Sequence, residues 1–204
     1  MSPLPRAVLL LALCASLEVR ADVLADFRAF MSGTQSGRSD FIQTVSDAKG
    51  RETQKAKGTF VFVRPGKFHF HYEQPAQEII GDGVKVWLYD RDLAQVTVRK
   101  FEKSFSSTPA AILAGKSDIE ASFTLVAGGE QDGLQWLNAE PKSKDAGIEK
   151  IRMGFSANQL AAMELVDAFG NRTRMQFLKF DRNPRIDPKE FTFTAPKGVD
   201  VIGE

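Results

Sequence analysis

Thr59-Phe60-Val61-Phe62-Val63-Arg64-Pro65-Gly66-Lys67-Phe68-His69-Phe70-His71-Tyr72 is the stretch on which the fold turns. Two runs rich in aromatic and β-branched residues flank a Pro-Gly pair, and Pro followed by Gly suits the central positions of a type II turn. The two runs therefore read as a hairpin. Side chains alternate along a strand, so Phe68, Phe70 and Tyr72 share one face while His69 and His71 occupy the other.

Further strands follow on both sides. Ile79-Ile80, an Asp82-Gly83 turn and Val84 to Tyr89 make a second hairpin, which Leu93 to Arg99 extends as a meander. One helix interrupts: Thr108 can cap it, Pro109 fits its first position, Ala110 to Ala114 are apolar and Gly115 can end it. Strands are then expected at Phe123 to Ala127, Leu134 to Ala139, Ile148 to Phe155, Leu160 to Asp167 and Thr173 to Phe180, with a helical turn at Asp187 to Glu190 and a final short strand at Phe191 to Thr194. Upstream, Leu24, Phe27 and Phe30 or Met31 mark one face of a short amphipathic helix, residues 33–38 read as a turn, and Asp40 to Val45 as the first strand. The spacing predicts a mainly β (α+β) fold, a largely antiparallel sheet of about ten strands with few helices. A strongly twisted sheet of that size tends to curl.

Residues 1–21 read as a cleaved secretory signal: Arg6, an apolar run from Ala7 to Leu17, and the small-residue site Val19-Arg20-Ala21. The run is shorter than the ~20 residues that cross a bilayer. Cys14 follows Leu13 and lies inside the apolar run, which argues against lipidation there. Residues 22–204 are expected to form a single domain without cysteine, hence without disulfides. Losing Arg6, Arg20 and Glu18 takes 27 basic and 26 acidic side chains to 25 of each. A neutral mature chain argues against nucleic acid as partner.

The residue inventory gives catalysis little to work with. No serine sits in a nucleophile elbow, and no glycine-rich stretch joins a strand to a helix as phosphate binding requires. His69-x-His71 presents two imidazoles on one strand face, but a third metal ligand would have to come from a carboxylate such as Glu73 or Asp82, and spacing nominates neither. A solvated strand face is the plainer reading, and no metal is assigned. Phe60, Phe62, Phe68, Phe70, Trp87 and Tyr89 have two readings. They fill an ordinary core, or a curled sheet leaves part of this face lining a cavity for an apolar ligand.

The run from Arg64 to Tyr72, then Gln74-Pro75, Asp82-Gly83 and Trp87-Leu88-Tyr89, resembles the outer-membrane lipoprotein carrier family, LolA. So do Leu93 to Val96, Ser107-Thr108-Pro109, the Asp167-Ala168-Phe169-Gly170 turn, and Phe191 through Val199. The resemblance implies an incomplete, strongly curved antiparallel β-barrel with a short-helix lid over an apolar cavity. It implies a periplasmic, monomeric carrier, not an enzyme and without cofactor, that shields lipoprotein acyl chains between an inner-membrane ABC transporter and an outer-membrane receptor. Phe60, Phe62, Phe68, Phe70, Trp87, Ile112 and Leu113 are then expected at the acyl-chain cavity, with Arg64 as the lock on the lid. The alternative for Arg64 is an ordinary surface residue ahead of a turn, and His69 receives no role. Rival functions are the lipid-anchored receptor of the same pathway and a periplasmic sensor of related fold.

Overall fold

A computed structural model of the chain describes residues 22–101, 112–115, 119–143 and 147–203. The expected signal at residues 1–21, with Cys14, lies outside them, as do Thr108, Pro109, Ala110 and Ala111 of the expected central helix.

Helix α1 (Val23–Gly33) opens the described chain. Asp22 caps it by accepting from the Leu24 N–H at 3.0 Å, and Val23, Phe27 and Phe30 form its buried stripe. The strands are β1 (Ser36–Ser46), β2 (Glu52–Val63), β3 (Lys67–Tyr72), β4 (Gln77–Asp82), β5 (Lys85–Asp90) and β6 (Gln95–Lys100). After a short helix α2 (Ile119–Ser122) come β7 (Phe123–Gln131), β8 (Leu134–Pro141), β9 (Ile148–Ser156), β10 (Gln159–Asp167), β11 (Arg172–Arg182) and β12 (Asp200–Gly203).

All twelve join one sheet in the order β12-β6-β5-β4-β3-β2-β1-β11-β10-β9-β8-β7. Consecutive hairpins build two meanders, β1 to β6 and β7 to β11, and the β1–β11 pair joins them. Every neighbour pair is antiparallel except β12, which lies parallel to β6. The two end strands β12 and β7 are edges, so the barrel is incomplete.

The alternation in β2 and β3 sets what the concave side contains. Phe60 stands opposite Phe70, and Phe62 opposite Phe68. The Phe60 and Phe70 rings stack with centroids 4.3 Å apart, and Phe41 of β1 meets Phe70 edge-on at 5.4 Å. Room for these rings comes from cross-strand glycines. Gly37 faces Phe62 and Gly81 faces Phe68. A Cβ at either position would come within 2.4 Å or 2.5 Å of the facing ring. Residues 36–38, expected in a turn, are thus strand, and β1 starts four residues earlier than its sequence suggests.

On the same side α1 packs against β7, β8 and β9, with Phe30 meeting Phe155 edge-on at 5.9 Å. On the convex side a 3-10 turn (Pro188–Phe191), capped by Asp187, covers β3 and β4 and buries Phe191. The expected strand at Phe191 to Thr194 is not formed. The last strand is β12, recruited along β6 by residues far from it in sequence.

Candidate functional site

The turn between β2 and β3 carries Arg64 to the rim of the concave face, where three parts of the chain meet. Its Nε donates to the carbonyl oxygen of Leu113 at 2.8 Å. Its Nη1 donates to the carbonyl of Thr34 at 2.5 Å and to that of Met31, and Nη2 contacts the Met31 sulfur at 3.1 Å. The guanidinium also lies 5.3 Å from the Phe62 ring centroid and 5.8 Å from that of Phe30. Beside it the Gly66 N–H donates to the carbonyl of Ala114 at 2.5 Å.

The end of α1 explains why an arginine is wanted here. The last carbonyls of a helix lack intrahelical donors, and a cation is favoured beside them. The residue after α1, Thr34, is extended, so the chain leaves the helix without turning back on it. Arg64 and Asn183 supply donors instead: Arg64 to Met31 and Thr34, and the Asn183 amide to the Gly33 carbonyl at 2.9 Å. Arg182 completes the corner, bonding the Thr34 hydroxyl at 2.9 Å and facing Phe30 from 5.6 Å. Arg182 and Asn183 have no signal in the sequence, since they act across about 150 residues of chain. Burial draws the Arg64 guanidinium down from its ordinary value to about 10, which still leaves it charged at neutral pH.

Phe60, Phe62, Phe68, Phe70, Ile112 and Leu113 come together in one apolar cluster, each no more than 2 % exposed. Ile112 and Leu113 are helical, and the Gly115 N–H closes that turn on the Ile112 carbonyl at 3.3 Å. Trp87 departs from the expectation. On β5 the residues that face the cluster are Val86 and Leu88. Trp87 therefore points to the convex side, where its ring lies 6.2 Å from that of Phe193, with Tyr89 at 5.6 Å. The aromatic face is covered, by α1 at one end and by Ile112–Leu113 near Arg64, so any ligand reaches it only if those segments move. What the arrangement can do is hold an apolar surface closed with hydrogen bonds gathered on one cation.

The convex side carries the polar chemistry. A groove of about 740 Å³ lies among Lys49, Asp132, Glu164, Arg172 and Arg174. Within it Asp132 pairs with Arg174 at 3.2 Å, and Glu164 pairs with Arg152 of β9 beside it at 3.2 Å. His69 and His71 sit on the convex face of β3 as their alternation requires, and Glu78 of β4 joins them. Burial lowers the basicity of His69, partly offset by Glu78. Among the described residues no helix is long and apolar enough to cross a membrane.

Residues 32–194 match the family model of the outer membrane lipoprotein carrier protein LolA. The chain is 45 % identical over 199 residues to an outer-membrane lipoprotein carrier protein of Methylobacillus flagellatus, covering 97 % of each chain. It is 46 % identical to the protein of the same name from Leptothrix cholodnii, over 90 % of this chain and 86 % of that one. Among solved structures, an uncharacterized conserved protein of Thermus thermophilus superposes with a TM-score of 0.54 at 10 % identity, over 88 % of this chain and 98 % of that one. A putative outer membrane lipoprotein-sorting protein domain from Vibrio parahaemolyticus gives 0.50 at 13 % identity, over 82 % and 95 %. These structural likenesses concern the fold alone.

Proposed function

The chain belongs to the LolA family of outer-membrane lipoprotein carriers, and from that premise we propose a carrier cycle governed by the contacts of Arg64. The protein is a periplasmic lipoprotein carrier. Acyl chains in water cost about 0.8 kcal/mol per methylene, so a lipoprotein crosses an aqueous compartment only with its chains shielded. The shield must also let go.

In the cycle, cargo arrives from an inner-membrane ABC transporter and displaces α1 and the Ile112–Leu113 segment from the aromatic face. Phe60, Phe62, Phe68 and Phe70 then meet acyl chains in place of those segments. Displacement breaks the bonds from Arg64 to Leu113, Met31 and Thr34. In the closed state the three carbonyls satisfy the guanidinium, and opening exchanges those charge-assisted bonds for water at a net cost. The free energy of reclosing therefore opposes cargo and drives its transfer to an outer-membrane receptor. The carrier acts as a monomer after removal of residues 1–21. The observation that carries this reading is the meeting of carbonyls from two separate segments on one arginine at the rim of a fully covered aromatic face.

The test incubates the purified mature protein with spheroplasts that hold a labelled lipoprotein. Label released into a soluble one-to-one complex supports the cycle. Label that stays with the membrane, while an established carrier releases it in parallel, refutes it.

A further inference from the structure

The convex face of the β3–β4 hairpin holds a cluster that the carrier cycle leaves unused. His71 stands directly opposite Glu78, and His69 sits two residues along the same strand on the same face. One ligand atom from each of His69, His71 and Glu78 lies within 4.8 Å of the other two. All three side chains are partly buried, neither swept by bulk solvent nor sealed from it.

We propose that His69, His71 and Glu78 form a three-ligand site for a divalent transition-metal cation, best suited to Zn²⁺, on the side of the sheet away from the acyl chains. Two imidazoles and a carboxylate are the donor set of open zinc sites, where water takes the fourth position. Bonds of about 2.0–2.1 Å in a tetrahedron put neighbouring ligand atoms roughly 3.3 Å apart. The His69 Nε2 and Glu78 Oε2 already stand at 3.2 Å. Rotation of the partly exposed His71 brings in the third.

The carboxylate is divided in a way that suits this role. Its Oε1 accepts from Arg91, while Oε2 faces His69. A metal on Oε2 leaves the Arg91 bond in place as the outer contact that orients a ligating carboxylate. The plainer arrangement, a His69–Glu78–Arg91 polar network with no cation, uses the same contacts and leaves His71 outside them. His71 therefore separates the two. Imidazole nitrogen also predicts selectivity, since Mg²⁺ and Ca²⁺ prefer all-oxygen sites.

The experiment uses the untagged mature protein, titrated with ZnCl₂ by calorimetry in a buffer that does not chelate zinc, alongside NMR of the imidazole nitrogens. The chain has only two histidines, so every imidazole signal belongs to this site. Expected are one Zn²⁺ per chain, shifts of both imidazoles, no displacement by millimolar Mg²⁺, and at least tenfold weaker binding in His71→Ala. Saturating zinc at a hundredfold excess over the dissociation constant should raise the melting midpoint by roughly 5–10 °C. Glu73→Gln, at a carboxylate already paired with Lys57, serves as the neighbouring control and should bind as before. Absence of stoichiometric binding, unmoved imidazole signals, or binding that survives His71→Ala in a folded protein overturns the proposal.

Discussion

Replacing Arg64 by leucine removes three donors from backbone carbonyls in one step: Nε from Leu113, and Nη1 from Met31 and Thr34. A hydrogen bond to a charged group contributes about 1.5–3 kcal/mol net, so three sum to roughly 4.5–9 kcal/mol in favour of the closed arrangement. Two effects reduce that figure. Leucine needs no desolvation of a guanidinium, and the freed carbonyls regain water when the segment lifts. Taking about half leaves roughly 2–4 kcal/mol, which at ~1.4 kcal/mol per decade shifts the equilibrium toward the open form by roughly 30- to 700-fold. The Gly66 amide reports this directly, because it donates to the Ala114 carbonyl of the moving segment. In Arg64→Leu its hydrogen exchange should accelerate by that factor while the amides of β9 and β10 keep their protection. In a transfer assay the variant should load labelled lipoprotein and then retain it in the presence of outer membranes. A folded Arg64→Leu protein whose Gly66 amide exchanges at the wild-type rate, or which delivers cargo at the wild-type rate, refutes the latch.

Phe70→Ala removes a ring packed on Phe60, Phe41 and Tyr72 and should cost about 3–5 kcal/mol in urea unfolding; a loss under 1 kcal/mol would show that the face is loosely packed. Trp87→Ala should leave lipoprotein uptake unchanged, because Trp87 packs on Phe193 behind the sheet; impaired uptake by a folded variant would return it to the acyl side. Burial raises the pKa of the Tyr72 phenol well above its ordinary value near 10, so the folded state keeps a proton that the unfolded state loses. Stability should then be level up to about pH 10 and fall above it, and absorbance near 295 nm should show one of the two tyrosines ionising only as the protein unfolds; two tyrosines titrating freely near 10 in folded protein would contradict the burial.

Strand β3 could be read directly because Phe68, Phe70 and Tyr72 alternate with His69 and His71, and Pro-Gly marks the turn that leads into it. The same rule failed one hairpin later. Val86 to Tyr89 is apolar on both faces, since Phe193 covers Trp87 and Tyr89 on the convex side, and alternation cannot then choose a side for Trp87. β12 escaped notice because its partner β6 lies about a hundred residues away and nothing in Val201-Ile202 names it. Arg64 stands out only through the family resemblance, its place ahead of a turn being equally that of a surface residue, whereas Arg182 and Asn183 reach the same corner through the β1–β11 pairing. Glu78 was legible in principle: once residues 73–76 are taken as the turn, cross-strand register sets it against His71. Glu73 and Asp82, weighed as metal ligands from sequence, lie at opposite ends of that hairpin.

The unpaired ends of the sheet bear on cargo in a way that concerns girth. In a closed barrel, strand number and stagger together dictate the bore, and a wider guest has nowhere to go. Among the described residues β12 and β7 share no seam of hydrogen bonds to rupture, so the wall is open-ended. In the carrier cycle proposed above, its span is therefore expected to follow its contents, with cargo of different thickness accommodated and no rung between the twelve strands broken.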